Sequence, residues 1–191
     1  TSYSVFRGTA SGGPYSSITA GVTATTYTNT GLTNGTIYYY VVSAVNATGE
    51  SNDSVEKPGT PMAAPTGVVV TSGTTGQATI EWNAVLGATS YNVLRRSSPT
   101  GSVLLESVLG NVTSFVTNVN LNSAFYYYNV VAVNSIGKSD ESSQVSSPSV
   151  PTGVTRVIGD GQIALSWTAS LGATSYTVKR STTSGGPYAN I

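Results

Sequence analysis

The sequence predicts an all-β protein made of tandem antiparallel β-sandwiches. Apolar and polar residues alternate with a period of two, which is the spacing of a strand with one buried face. Tyr, a strand-favouring residue, occurs 12 times in 191 residues, and Val and Thr are also frequent. The sequence repeats itself every 85 to 88 residues, which is too long for a solenoid unit and fits a small autonomous domain. No segment predicts a helix.

The repeated motifs mark equivalent positions in successive copies of one module. They are Leu-Gly-Ala-Thr-Ser-Tyr at 86–91 and 171–176, Ser-Gly-Gly-Pro-Tyr at 11–15 and 184–188, Tyr-Tyr-Tyr at 38–40 and 126–128, and the pair Trp82 and Trp167. Large aromatic side chains at such positions fill the gap of about 10 Å between two packed sheets. The chain therefore contains all or part of three sandwiches.

The middle copy, residues 64–147, is predicted to be a complete module of seven strands. Ala78, Ile80 and Trp82 alternate with polar residues and form one buried strand face. We expect strands A to G near 67–71, 77–82, 89–96, 102–108, 113–117, 124–134 and 139–146.

The other two copies are expected to be partial. Residues 1–58 are interpreted as the C-terminal part of a module, with strands C to G. Residues 150–191 are interpreted as the N-terminal part of another, with strands A to C′. The linkers at 57–65 and 148–151 contain Pro and are short, so neighbouring modules should lie end to end with limited freedom. Because the chain begins at Thr1, we expect it to be a piece of a longer protein.

Each partial module would leave an apolar face and unpaired strand edges, so something must cover it. Two explanations stay open. In the first, the chain is a window on a longer array. In the second, the head and tail of adjacent copies complete one sandwich and build a fibre. Residues 1–18 match residues 174–191, so a fibre would contain strands C and C′ twice, which favours the first explanation.

Further positions also recur from copy to copy. They are Pro65 and Pro151 before strand A, Trp82 and Trp167 on strand B, Tyr-x-Val at 3–5, 91–93 and 176–178 on strand C, Leu32 and Leu121 before strand F, and Tyr38 and Tyr126 on strand F. Together these residues resemble the pattern of tandem fibronectin type III domains of bacterial extracellular proteins. The resemblance implies seven-stranded immunoglobulin-like sandwiches. Tyr38 and Tyr126 are also placed for a tyrosine corner, in which the hydroxyl bonds nearby backbone.

Charge and composition exclude several classes of function. Lys plus Arg and Asp plus Glu number 8 each, so the net charge is zero and no basic stripe can bind a nucleic acid backbone. The chain has no His and no Cys, which excludes Ser-His and Cys-His catalysis, zinc sites with nitrogen or sulfur ligands, and disulfides. No apolar run approaches the roughly 20 residues that cross a bilayer. We expect no nucleic acid partner and no membrane span.

The acidic residues do not predict a catalytic site. Glu50, Asp53 and Glu56 fall on or near strand G, as do Asp140 and Glu141 in the second copy, and charge there blocks pairing with other sheets. A calcium site or a catalytic carboxylate pair is the alternative, but the clustered spacing of such sites is missing. We therefore expect a protein that is not an enzyme and that holds no metal or cofactor.

A candidate interaction surface comes from the outward positions of strands C and F. The outward set is Phe6, Tyr39 and Val41 in the first copy and Leu94, Tyr127 and Val131 in the second. A cluster that recurs on one sheet face suits packing against another module, chain or glycan. Exposed residues chosen only for strand propensity are the alternative. Arg95 and Arg96, at the end of strand C, are interpreted as solvated charges.

The predicted function is structural. We expect non-catalytic spacer modules of an extracellular or cell-surface bacterial protein, whose partners are neighbouring modules or copies of itself, arranged head to tail. Modules that this chain resembles accompany carbohydrate-active enzymes and adhesins, so a polysaccharide- or surface-binding module, with a glycan partner, is one alternative. A subunit of a homopolymeric filament is the other.

Overall fold

The structure is a computed structural model that describes residues 1–72, 77–117 and 125–191. The strands are β1 (Ser2–Gly8), β2 (Ser16–Val22), β3 (Tyr38–Asn46), β4 (Gly49–Glu50), β5 (Lys57–Gly59), β6 (Val69–Ser72), β7 (Ala78–Glu81), β8 (Ser90–Arg96), β9 (Leu104–Leu109), β10 (Ser114–Val116), β11 (Tyr127–Val133), β12 (Val145–Ser146), β13 (Thr152–Gly159), β14 (Gln162–Thr168), β15 (Lys179–Arg180) and β16 (Ala189–Asn190). Every regular element in these ranges is a strand, which confirms the predicted all-β fold. In the part of the chain that the structure describes, no helix has the length and apolarity needed to cross a membrane.

The middle copy is a sandwich of two antiparallel sheets. One sheet has the strand order β10-β7-β6 and the other has the order β12-β11-β8-β9. Their facing sides share one apolar core, as the period of two predicts. The buried core residues are Ile80, Trp82, Tyr91, Val93, Tyr128, Val130 and Ala132, with Phe115 and Tyr126 partly buried against them. The predicted inward register of these strands is therefore confirmed.

An aromatic pair joins strands B and C at one end of the core. The rings of Trp82 and Tyr91 lie 5.4 Å apart at 57°, and the Tyr91 hydroxyl accepts a hydrogen bond from the Val85 N–H at 2.8 Å. This bond ties the turn between the two strands to the core. The third copy repeats both features, with rings 5.3 Å apart at 59° and a 2.7 Å hydrogen bond, in Trp167, Tyr176 and Ser170.

Tyr38 forms the predicted tyrosine corner. Its hydroxyl accepts a hydrogen bond from the Thr33 N–H at 3.1 Å, which fixes the turn that precedes β3. The same bond lowers the pKa of Tyr38 below its ordinary value, because a donor aimed at the phenolic oxygen favours the charged form. The turn that would complete the corner at Tyr126, including Leu121, lies outside the described residues.

Strand G differs from the prediction in the middle copy. The predicted strand 139–146 is regular only at β12. Before β12, the Ser142 N–H donates to the Val130 carbonyl and the Ser142 hydroxyl accepts from the Val130 N–H, both at 2.9 Å. A side-chain oxygen thus takes the place of a strand carbonyl, which interrupts the regular ladder. The equivalent pairs are Ser139 with Ala132, Ser51 with Ala44 and Ser54 with Val42.

The first copy lacks one strand that the sequence predicted. In residues 1–58, β1, β2 and β3 correspond to strands C, C′ and F, and β4 and β5 lie along β3 as strand G. No strand forms between β2 and β3, where strand E was expected. In the middle copy strand E is β10, which pairs with strand B, β7. The described residues of the first copy include no strand B, so its strand E segment has no ladder partner.

The third copy is a hairpin followed by two short strands. The hairpin of β13 and β14 corresponds to strands A and B, and β15 pairs with β16 as strands C and C′. Strand C is only two residues long in this copy. In the middle copy strand C lies between strands F and C′, whereas the described residues of the third copy include no strand F to pair with it. The module boundaries 1–58, 64–147 and 150–191 remain predictions.

Replacing Trp82 with Ala should destabilise the middle copy by about 3–5 kcal/mol, because the lost indole leaves a cavity between the sheets. The residue is only 4% exposed. Urea unfolding of the whole chain, followed by far-UV circular dichroism, measures the loss. Val103→Ala, at a position that is 44% exposed, is the control and should change the unfolding free energy by less than about 0.5 kcal/mol. A loss under about 1 kcal/mol for Trp82→Ala would contradict the core assignment.

Tyr91→Phe keeps the ring and removes the acceptor for the Val85 N–H. We expect a loss of about 1 kcal/mol in the unfolding free energy and faster amide hydrogen exchange at Val85, because a buried donor loses its partner. Nuclear magnetic resonance measures the exchange residue by residue. Tyr127→Phe, on the opposite side of the sheet, is the control. Unchanged exchange at Val85 in Tyr91→Phe would show that the hydroxyl does not hold the turn.

Candidate interaction surface

Strand pairing brings the predicted outward residues together in each of the first two copies. Phe6 of β1 pairs directly with Val41 of β3, and Tyr39 lies two residues along the same strand and shares its face. In the second copy Leu94 of β8 pairs directly with Asn129 of β11, and Tyr127 and Val131 lie two residues to either side of Asn129 on the same face. The grouping that the sequence suggested is therefore a real neighbourhood on each sheet.

Two of the six residues are not at the surface. Val41 is 3% exposed and Val131 is 5% exposed. Both lie on strand F, which has strand C on one side and strand G on the other, so neighbouring strands cover them. At these exposures they offer almost no area to a partner. The remaining residues, Phe6, Tyr39, Leu94 and Tyr127, are half-buried, and the surface they would form stays a prediction.

A polar network borders Tyr127 on this face. Arg96 donates to the side-chain oxygen of Asn129 and, through its Nη2, to both carboxylate oxygens of Glu141 at 2.9 and 2.8 Å. Asn129 in turn donates to the Ser142 carbonyl at 2.8 Å. The Arg96 side chain is only 12% exposed, so its interpretation as a solvated charge is wrong. The network uses its donors and acceptors within the module, where they join strands C, F and G.

Two arginines also pack on the strand F tyrosines. The Arg95 guanidinium lies 4.6 Å from the centre of the Tyr126 ring, and Arg7 lies 5.0 Å from the centre of the Tyr38 ring. Such cation–π contacts contribute about 0.5–1 kcal/mol at exposed sites and more when desolvated. The expectation that Arg95 is a solvated charge is therefore also wrong.

Glu56 holds the turn between strands C and C′ in the first copy. Its carboxylate accepts hydrogen bonds from the Ser11 hydroxyl at 2.9 Å, from the Gly12 N–H at 2.8 Å and from the Tyr15 hydroxyl. The Tyr15 hydroxyl, and then the Gly12 N–H, hold the pKa of Glu56 below its ordinary value. The bond to Glu56 likewise raises the pKa of Tyr15. This acidic residue is a structural anchor that the sequence interpretation as edge charge missed.

Three of the acidic residues, Glu50, Glu56 and Glu141, each bind a separate partner. Glu50 accepts a hydrogen bond from Ser43, Glu141 binds Arg96, and Glu56 binds its turn. Within the described ranges, no group of three or more His, Cys, Asp or Glu side chains could hold a metal ion. Each of these carboxylates therefore has a partner within its own module.

The closely packed aromatic rings of the described residues are tilted or edge-to-face rather than coplanar. In the described part of the chain, the closely packed ring pairs meet at 57°, 88° and 59°. The pair beside the predicted surface is Phe125 and Tyr127, whose rings are 4.9 Å apart in an edge-to-face arrangement. Edge-to-face packing stabilises this pair.

The middle copy places strands A, B and E in one sheet and strands C′, C, F and G in the other, with the tryptophan of strand B against the tyrosine of strand C. These modules have the fibronectin type III fold. The structure therefore confirms the resemblance to fibronectin type III domains that the sequence motifs indicated.

Comparisons with known proteins find partial matches to this chain. No family profile matches the chain. An amylopullulanase of Thermoanaerobacterium thermosulfurigenes is 39% identical over 66 residues, which are 32% of this chain and 4% of that protein. Exoglucanase B of Cellulomonas fimi is 28% identical over 192 residues, which cover 89% of this chain and 17% of that enzyme. The solved structure of a Fn3-like protein from Clostridium thermocellum is 28% identical, with a TM-score of 0.42, over 44% of this chain and 88% of that one. The chain thus spans a small part of the length of these two enzymes.

Glu56→Gln should loosen the turn between strands C and C′ and remove the pH dependence of the stability of that turn. Because the pKa of Glu56 is lowered in the folded chain, its stabilising effect is complete above the ordinary pKa of a glutamate and is lost as the pH falls through the lowered value. The amide resonance of Gly12 should therefore titrate in acid in the native chain and not in the variant. Asp160→Asn is the control and should leave that titration unchanged. If the Gly12 amide resonance still titrates in acid in Glu56→Gln, then Glu56 is not the group that holds this turn.

Proposed function

We propose that the chain forms non-catalytic spacer modules of an extracellular or cell-surface bacterial protein, stacked head to tail into an extended stalk. This proposal rests on the observation that charged side chains of the modules form their hydrogen bonds within their own module. The charged side chains of the candidate surface, Arg96 and Glu141, bind each other, and Glu56 binds a turn of its own module. Such modules supply length and a fixed separation rather than chemistry.

The relatives support an accessory role. An amylopullulanase and an exoglucanase share a segment similar to this chain, although their names describe different enzymes. The shared segment is 4% of one and 17% of the other. A small segment that occurs in enzymes of different names is more readily explained as an accessory module than as the catalytic part. The same relatives support an extracellular bacterial setting for this chain.

A polysaccharide-binding module is the second candidate. It is favoured by the half-buried Tyr127 on an outward sheet face, because ligand sites are lined mainly by hydrophobic and aromatic side chains. Tyr39 and Phe6 occupy the equivalent face in the first copy. In this function the chain would hold a neighbouring catalytic domain against its substrate.

A pull-down with insoluble cellulose and starch separates the two candidates. The spacer proposal predicts that the chain stays in the supernatant with both. Retention that Tyr127→Ala or Tyr39→Ala abolishes would overturn the spacer proposal and support polysaccharide binding. Tyr27→Ala, at a tyrosine that is 45% exposed and lies outside this surface, is the matched control.

Electron microscopy of the purified chain addresses the filament alternative. A spacer should appear as short separate rods, whereas a homopolymeric filament subunit should appear as long fibres whose length grows with protein concentration. Fibres of this kind would replace the spacer proposal.

A further inference from the structure

The contact between the first and second copies is a meeting of two glycine turns. Gly35 lies in the turn before β3, and Gly87 lies in the turn between β7 and β8. Their φ angles are +80° and +85°, in the left-handed region that favours glycine. A Cβ on Gly87 would lie 2.8 Å from the Gly35 Cα, and a Cβ on Gly35 would lie 2.7 Å from Leu86 Cγ. The two turns therefore pack backbone against backbone, at a separation that no larger residue permits.

Hydrogen bonds hold both turns at this junction to the linker. The Gly35 N–H donates to the Pro61 carbonyl at 2.8 Å. The Asn134 side-chain amide donates to the Gly87 carbonyl at 3.1 Å and lies 3.4 Å from the Met62 sulfur. The linker between the copies is therefore bonded to a turn of the first copy and to a loop of the second.

The second and third copies meet through the same turn. Leu171 and Gly172 repeat the Leu-Gly pair of 86–87. The Ser149 N–H donates to the Leu171 carbonyl at 3.1 Å, and the Leu171 N–H donates to the Ser149 hydroxyl at 3.0 Å. A Cβ on Gly172 would lie 2.7 Å from the Phe125 ring of the second copy. The same sequence motif thus makes the junction contact in both places.

Tyrosine hydroxyls keep these turns in position. The Tyr91 hydroxyl binds the N–H of Val85, the residue just before the Leu-Gly pair, and the Tyr38 hydroxyl binds the turn that carries Gly35. In the third copy Tyr176 binds the N–H of Ser170 in the same way. Each of these turns is therefore bonded to a tyrosine of its own module.

We propose that the Leu-Gly turn between strands B and C is a docking element whose partner is the preceding module of the array. The glycine permits close approach, the core tyrosine fixes the turn, and the repeated contact sets one geometry from module to module. This inference deepens the proposed spacer role, since it assigns the residues that make the spacing constant.

Distance measurements between two spin labels test the docking. The chain has no Cys, so Ser17→Cys and Glu81→Cys, both exposed strand positions, give one label in each of the first two copies. Pulsed electron double resonance should show a single narrow distance distribution. Gly87→Ala should widen it roughly twofold, because a linker freed from its contacts samples chain-like dimensions.

The matched control is Gly185→Ala. Gly185 has φ +84°, one degree from Gly87, but a Cβ there would have no atom within 4 Å. Both variants therefore carry the same backbone strain, and only Gly87→Ala meets the neighbouring module. Gly35→Ala, with Gly31→Ala at φ +72° and in open space as its own control, tests the other side of the contact and serves if Gly87→Ala fails to fold.

The outcomes separate the docking from the spacer function. A narrow distribution that only the Gly87 and Gly35 variants widen supports the proposal. A broad distribution in the parent, an unchanged distribution in both variants, or equal widening in the controls overturns the docking and leaves a flexible spacer. Retention on polysaccharide in the pull-down overturns the spacer function alone and leaves the docking intact.

Discussion

The structure depends above all on tyrosine hydroxyls that accept hydrogen bonds from turn amides. Tyr91 and Tyr176 each place the ring against a tryptophan and the hydroxyl against the turn between strands B and C, and in the middle copy this aromatic pair is part of the core. Tyr38 does the same for the turn before strand F. A chain without a disulfide cannot hold its turns by covalent links, so one side chain both fills the core and fixes a turn.

The few charged side chains of the chain also hold strands and turns in place. Only 8% of the residues are charged, and several of those described here link strands or turns within one module. Arg96 and Glu141 join strands C and G across strand F, while Glu56 binds a turn through three donors. Partly buried pairs of this kind restrain geometry more than they add stability, because desolvation offsets much of their attraction.

The hydrogen bonds to the turns also bear on how a fibronectin type III module connects to its neighbours. Its ends are turns, and turns are ordinarily the most mobile parts of a β-sandwich. Here the turn at Gly35 is bonded to the linker at Pro61, and the turn at Leu171 is bonded to the linker at Ser149. In the proposed spacer function, such bonds pass the orientation of one module to the next.

Much of this was determined by the sequence alone, because the period of two and the recurring aromatic residues specify which side of each strand is buried. That pattern predicted the core of Trp82, Tyr91 and Tyr128 and the relation to fibronectin type III domains. Alternation of apolar and polar residues distinguishes the two faces of a strand, but it does not show how much of a side chain the neighbouring strands cover. Only the tertiary structure showed that Val41 and Val131 are buried, since their cover comes from neighbouring strands. The roles of Arg96, Glu56 and the Gly35–Gly87 contact were likewise decided by partners far away along the chain, which no local pattern contains.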